Sequence, residues 1–254
     1  MAGHSKWSNI KHKKAKEDAK RAKVFTKHIR EITVSAREGG GDPEHNPRLS
    51  MAIDNAKADN LPKDNIERAI KKGTGELDDG SGNYEDATYE GYGPGGIAYF
   101  VEVTTNNYNR TVGDIRHIFT KFGGNLGQDG SVAYLFEQLG SIKVPADGLN
   151  VDDEEFMLSA IDAGAKDVER IDDFFEVTTV REELFDVRSS LEDQDFTIEN
   201  AELVREPMTE VEVDENTART NLKLMDALED NDDVSKVFNN MEMNESTLNL
   251  AEQI

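Results

Sequence analysis

The spacing of apolar residues changes period once along this chain, and that change decides its fold class. Up to residue 73, apolar and small residues recur every three or four positions, the mark of helices with one buried face. From residue 97 onward, short apolar or alternating runs are interleaved with further three-and-four stripes, as in strands alternating with helices. The first stripe is Ala15, Ala19, Ala22, Phe25, Ile29, Ile32 and Ala36, and Gly39, Gly40 and Gly41 end it. Its first half is alanine, which buries little area, so a helix over 11–24 is expected to be held more loosely than 25–38. A second stripe, Leu49, Ala52, Ile53 and Ala56, follows Pro47, and a third, Leu61, Ile66, Ala69 and Ile70, has Pro62 in its first turn. Lys71 and Lys72 supply a cationic last turn, and Gly73 is expected just past the helix end.

Residues 74–86 are rich in Gly, Asp and Ser and read as a linker. Beyond it the pattern predicts a strand over 97–104, a helix over 111–122 with Val112, Ile115, Ile118, Phe119 and Phe122 inward, and a strand over 131–138. A denser series follows: strand 141–144, helix 152–163, strands 167–171 and 174–180, helix 182–191 and strand 196–203. That β-α-β-β-α-β order is ferredoxin-like. A strand over 209–213, a helix over 216–228 and a strand over 234–239 remain, and their missing sheet partners are found in 97–138. The fold class is therefore α+β, with an N-terminal helical domain followed by two ferredoxin-like α/β domains, the third inserted into the second. The expected units are 1–75, a discontinuous 76–139 with 206–240, an inserted 140–205, and a polar, frayed tail at 241–254.

Charge divides the chain the same way. It has 254 residues with 52 acidic and 29 basic side chains, a net −23. Residues 1–75 carry 17 basic and 10 acidic residues, a balance of +7, which leaves −30 for residues 76–254. A polyanion would be drawn to the head and repelled by the body. No apolar run approaches the roughly 20 residues of a membrane helix. Residues 1–30 lack the apolar core of a secretory signal, and there is no cysteine, so a reducing, cytoplasmic setting is expected.

The candidate site is the basic opening. Lys6, Lys11, Lys13, Lys14, Lys16, Lys20, Arg21 and Lys23 would neutralise phosphates and release counterions. Trp7 and His12 could stack on a base, although a lone indole also suits an anchor that packs the arm against the body. The segment Gly91-Tyr92-Gly93-Pro94-Gly95-Gly96 fits a dinucleotide fingerprint by letter, but a strand and not a helix follows it, so it reads as a turn. Residues 123–131 (GGNLGQDGS) either approach an RNA or protein backbone closely or supply the positive φ angles of two consecutive turns. The acidic clusters at 152–155 and 230–233 read as solvated helix ends. The five histidines show no metal-pair spacing, and no catalytic constellation emerges, so no enzyme activity, metal or cofactor is expected.

The motifs MAGHSKWSNIKHKK at 1–14, DNLPKDNIERA at 59–69, YEGYGPGG at 89–96, TNNYNRTV at 105–112 and GGNLGQDGSVAYLF at 123–136 strongly resemble the YebC/PmpR family. The resemblance runs from residue 1 to about 240. The family is described as transcriptional regulatory, and its mitochondrial relative is the translational activator of cytochrome c oxidase subunit one. The resemblance implies three domains with the third inserted into the second, a cytoplasmic non-enzymatic factor, and nucleic-acid contact at Lys6, Lys11, Lys13 and Lys14. It points to a DNA-binding transcriptional regulator or, alternatively, to a ribosome-associated translation factor that contacts ribosomal RNA and relieves stalling at proline-rich stretches. The expected partner is DNA or ribosomal RNA, with no membrane association and a monomeric state.

Overall fold

A computed structural model describes residues 18–77, 80 and 83–251, with side chains from residue 21 onward. The head is three helices, α1 (Asp18–Gly39), α2 (Pro47–Ala58) and α3 (Lys63–Gly73). Their stripes meet as the spacing predicts: Ile32, Ala36, Leu49, Ala52, Ile53, Ala56, Leu61, Ile66 and Ala69 form one buried cluster. Burial along α1 is partial at Phe25 and Ile29 and complete from Ile32. One buried amide joins two helix ends. Asn46 donates to the Ser35 and Gly40 carbonyls, both at 2.8 Å, and accepts from the Leu49 N–H that opens α2. Gly73 corrects its expected role, because it is the last residue of α3 and not the residue beyond it. A Cβ there would lie 2.3 Å from the Thr33 carbonyl oxygen, so glycine lets α1 and α3 touch backbone to backbone. The positive φ falls at Gly75.

The first sheet has strands β1 (Glu85–Tyr92), β2 (Ala98–Thr105), β3 (Asn125–Leu126) and β8 (Val234–Asn239), in the order β3-β1-β2-β8 and antiparallel throughout. Helices α4 (Tyr108–Lys121) and α7 (Glu215–Glu229) cover one face. There Ile97, Tyr99, Val101 and Val103 meet Ile115, Phe119, Leu222 and Met225. Strand β1 runs through what the sequence presents as linker and turn. Its half-exposed face alternates only weakly, through Ala87, Tyr89 and Gly91, so the period of two is faint.

The second sheet takes β4 (Phe136–Pro145), β5 (Asp167–Ile171), β6 (Phe174–Val180) and β7 (Asn200–Pro207), in the ferredoxin-like order β5-β6-β4-β7. Helices α5 (Asp153–Asp162) and α6 (Leu184–Asp193) close its core, where Phe156 packs against Phe175 and Phe196. The two strands expected at 131–138 and 141–144 are one strand, β4. Gly140, which reads as a break, lies mid-strand because a Cβ would stand 2.2 Å from Thr179 Oγ1. The strand expected at 209–213 reduces to a single bridge between Val211 and Met241. The frayed tail is corrected as well. Met241, Met243, Leu250 and Ala251 are buried in the first sheet's core, and residues 245–251 form helix α8 (Glu245–Ala251).

Polar contacts tie the units together. The Asn55 amide donates to the Ala201 carbonyl at 2.9 Å and accepts from its N–H at 3.1 Å, pairing a head helix with the outer edge of β7. Arg188, buried on α6, ion-pairs with Asp54 of the head at 2.5 Å. Lys236 of β8 donates to the Leu203 carbonyl and pairs with Glu202 across the two sheets.

Candidate nucleic-acid interface

Lys6, Trp7, Lys11, His12, Lys13, Lys14 and Lys16 lie outside the described residues, and Lys20 is described by its backbone alone. Of the predicted contacts this leaves Arg21, exposed and 5.6 Å from the Phe25 ring centre, and Lys23. Lys23 faces inward. Its Nζ donates to the Asp230 carbonyl at 3.0 Å and pairs with the Asp230 carboxylate at 3.2 Å. One turn further along α1, Lys27 donates to the Glu229 carbonyl at 2.9 Å, and Arg30 reaches the carbonyls of Thr104 and Asp232. The spacing 23, 27, 30 puts these cations on one face of α1, and the acidic turn after α7 accepts them all.

That turn contains the residue the sequence hides best. Asp233 belongs to a cluster expected to be solvated, yet it is 4% exposed. Its carboxylate pairs with Arg30 at 2.9 Å and with Arg110 at 2.7 Å, and it accepts from the Thr111 hydroxyl at 2.7 Å. Burial alone would raise its pKa, but the Thr111 and Arg110 donors and the Arg30 charge hold it below the ordinary carboxylate value. A single aspartate so joins the head to β2 and α4. Nothing in its own neighbourhood of the sequence signals this, because its partners lie over a hundred residues away.

The glycine-rich segment is organised by another buried acid. Glu90, 5% exposed, accepts from the backbone N–H groups of Gly130 and Val132, both at 2.6 Å, and of Ala133 at 2.8 Å. Burial pushes its pKa up, and these three donors more than reverse the effect, so it sits below its ordinary value. Both readings of the segment are met within the protein. Gly123 and Gly130 have φ of +79° and +82°, and a Cβ at Gly124 would lie 2.5 Å from the Tyr92 carbonyl. Residues 93–96 form the expected turn, with Gly95 and Gly96 at positive φ.

Among the described residues no group of His, Asp and Glu is placed to hold a metal ion, and no helix is long and apolar enough to cross a membrane. Two family models match the chain. One, described as the TACO1/YebC protein N-terminal domain, covers residues 5–76, and the other, the TACO1/YebC second and third domain, covers 84–241. The chain belongs to the TACO1/YebC family. Its relatives include a protein of Persephonella marina, 58% identical over 98% of each chain, and one of Rubrobacter xylanophilus, 54% identical over 98% of each. Both carry the name "Probable transcriptional regulatory protein". The crystal structure of a conserved hypothetical protein from Aquifex aeolicus is similar with a TM-score of 0.82 and 50% identity, covering 89% of this chain and 91% of that one. TACO1/YebC membership fits a regulatory factor, and it brings the basic opening at 5–16 within the matched N-terminal domain.

Proposed function

We propose that this TACO1/YebC protein is a non-catalytic, nucleic-acid-binding regulator of gene expression whose contact is the basic opening of its head. The observation that carries the reading is the disposition of positive charge. Lys23, Lys27 and Arg30 are taken up by the acidic turn, and the reading assigns the polyanion contact to the dense run of cations before them: Lys6, Lys11, Lys13, Lys14, Lys16, Lys20 and Arg21, with Trp7 and His12 as stacking groups. The relatives' names favour action on transcription, hence DNA. In this reading the head at 1–75 binds, while the discontinuous unit 76–139 with 206–240 and the inserted unit 140–205 hold it in position. The protein acts as a cytoplasmic monomer without a cofactor.

The acidity of the body favours a second reading. A balance of −30 over residues 76–254 opposes wrapping by a duplex, whereas a factor seated in a ribosomal crevice and relieving stalled translation needs only a local basic contact. In-cell crosslinking followed by sequencing of bound DNA and RNA separates the two. Promoter enrichment without ribosomal RNA supports transcription, and the reverse supports translation. Changing Lys6, Lys11, Lys13 and Lys14 together to Gln should abolish either enrichment, and unchanged binding would sink the arm as the contact.

A further inference from the structure

The inserted unit is dense in negative charge, and one edge of its sheet is left open. Residues 140–205 carry 19 acidic and 6 basic side chains, a balance of −13. Five of the six cations, Lys143, Lys166, Arg170, Arg188 and Arg205, are held in ion pairs. The sheet's two edges differ. Along β7 the outer backbone groups are occupied, at Ala201 by Asn55 and at the Leu203 carbonyl by Lys236. Among the described residues no strand pairs with the outer side of β5. In an antiparallel ladder alternate residues turn their N–H and C=O away from the partner strand. The Val168 N–H donates to the carboxylate of its neighbour Asp167 at 2.9 Å, which marks Val168, and with it Arg170, as the residues whose backbone faces outward.

A helix flank runs beside that edge. Asp153, Met157 and Ile161 recur at every fourth residue and share one side of α5. Asp153 pairs with Arg170 at 2.8 Å, so this is the side towards β5. Leu158 is 67% exposed and Ile161 48%, and these neighbours at i, i+3 make an apolar ledge alongside the strand. From Asp153 to Ile161 the helix rises about 12 Å, matching the roughly 13 Å that β5 spans from Asp167 to Ile171. The faces of the strand alternate. Val168 enters the core under the helices, so Asp167 and Glu169 lie on the opposite face. Glu154 and Asp162 on α5 and Glu169 on the strand meet no cation within ion-pair distance among the described residues.

We infer that β5 and the flank of α5 form a docking groove for an extended segment of a partner protein that alternates basic and apolar residues. The segment adds a strand at Val168 and Arg170, lays its apolar side chains on Leu158 and Ile161, and turns its lysines or arginines to Asp167 and Glu169. Charge selects the occupant. Nucleic acid is repelled from a unit of −13. Two β5 edges brought together would oppose the same acids, which is how a short charged edge avoids pairing with its own kind. The groove lies three strand spacings, about 14 Å, from β7, where the head docks. It is therefore separate from the basic opening, and the inference does not depend on how that opening is used.

The test uses the full chain and a fluorescein-labelled peptide of alternating lysine and valine, followed by fluorescence anisotropy and by hydrogen exchange. The peptide should bind and slow exchange at the Val168 and Arg170 amides. L158K/I161K removes both apolar anchors and should weaken binding about tenfold or more. E169K reverses charge on the strand's other face, away from the ledge, and should give a loss of about the same size. Methylating the peptide nitrogens on the edge that meets β5 keeps the peptide's charge and should also cost about tenfold. Equal affinity for the methylated peptide, or no protection at Val168 and Arg170, overturns strand addition. Equal affinity for a peptide with glutamate in place of lysine overturns the charge assignment, and unchanged binding in both L158K/I161K and E169K overturns the groove. If changing Lys6, Lys11, Lys13 and Lys14 to Gln tightens peptide binding, the chain's own opening fills the groove and the partner assignment falls; unchanged binding in that variant supports it. A dimer in sedimentation equilibrium that L158K/I161K dissociates would assign the groove to a second copy and overturn the inference. Thermal melting of each variant separates lost contact from lost fold.

Discussion

Replacing Asp233 by alanine tests whether the head is locked to the body by one buried carboxylate. The side chain of Asp233 is 5% exposed and that of Arg30 is 11%, so the substitution leaves a desolvated guanidinium without its counter-charge. Losing one member of a buried pair costs about 3–5 kcal/mol. The lower end applies here, because Arg30 keeps its bonds to the Thr104 and Asp232 carbonyls and its ring contact with Tyr84. Arg110 adds little, since its side chain is 46% exposed and solvent takes over its screening. Thr105 and Thr111 still bond each other at 2.7 Å. A loss of about 3 kcal/mol lowers Tm by roughly 6–12 °C for a protein of this size, read by circular dichroism. The cycle with Arg30→Met should return a coupling of about 1–3 kcal/mol. The pH dependence carries a sign. The folded pKa of Asp233 lies below its unfolded value, so its contribution is complete above about pH 4 and is lost as pH falls through the folded value. The gap between wild type and Asp233→Asn should therefore be constant from about pH 5 to 8 and close below about pH 4. A melting point for D233A within about 2 °C of wild type, or a coupling near zero, refutes the lock.

Three further substitutions probe the scaffold. Glu90→Gln leaves at least one of the three N–H donors facing an amide NH2 and should cost about 2–3 kcal/mol. Hydrogen exchange should accelerate at Gly130, Val132 and Ala133 first. Gly73→Ala would stabilise an exposed helix by about 1 kcal/mol. Here the Thr33 carbonyl blocks the new methyl, so chemical denaturation should show a loss of about 1–3 kcal/mol instead. Asn55→Ala removes both bonds to the buried Ala201 backbone and should cost about 2 kcal/mol in the same assay.

The parts of the fold that were legible are those where local pattern and tertiary burial agree. From Phe25 onward the head stripes bury the residues they display, whereas Ala22 is exposed and Ala15 and the Ala19 side chain lie outside the described residues. The second sheet was legible in strand order because its β-α-β-β-α-β succession is uninterrupted. The local pattern misleads where a distant partner overrides it. Gly140 looks like a break until Thr179 and Leu184 are placed against it, and Met241 and Leu250 look like a polar tail until α7 supplies a surface. Strand β1 has too few apolar residues to declare itself, yet it is the central partner that β2 and β3 require. The site divides in the same way. A run of lysines is visible by counting, whereas the neutralisation of Lys23 and the shielding of Asp233 depend on contacts more than a hundred residues apart in the chain.

The charge asymmetry follows from these contacts. An acidic body would repel any polyanion approaching its flank, and a basic head alone would bind one indiscriminately. Packing the 229–233 turn against α1 engages Lys23, Lys27 and Arg30 with acidic or carbonyl partners and directs that attraction to fixing the head. Cations that remain unpaired then matter out of proportion to their number, because the field around them is negative and screened within about 8 Å at physiological salt. A polyanion drawn to the head would then be kept off the flank of the body. Orientation, and not raw affinity, is what such an arrangement contributes to a regulator that acts at a defined position.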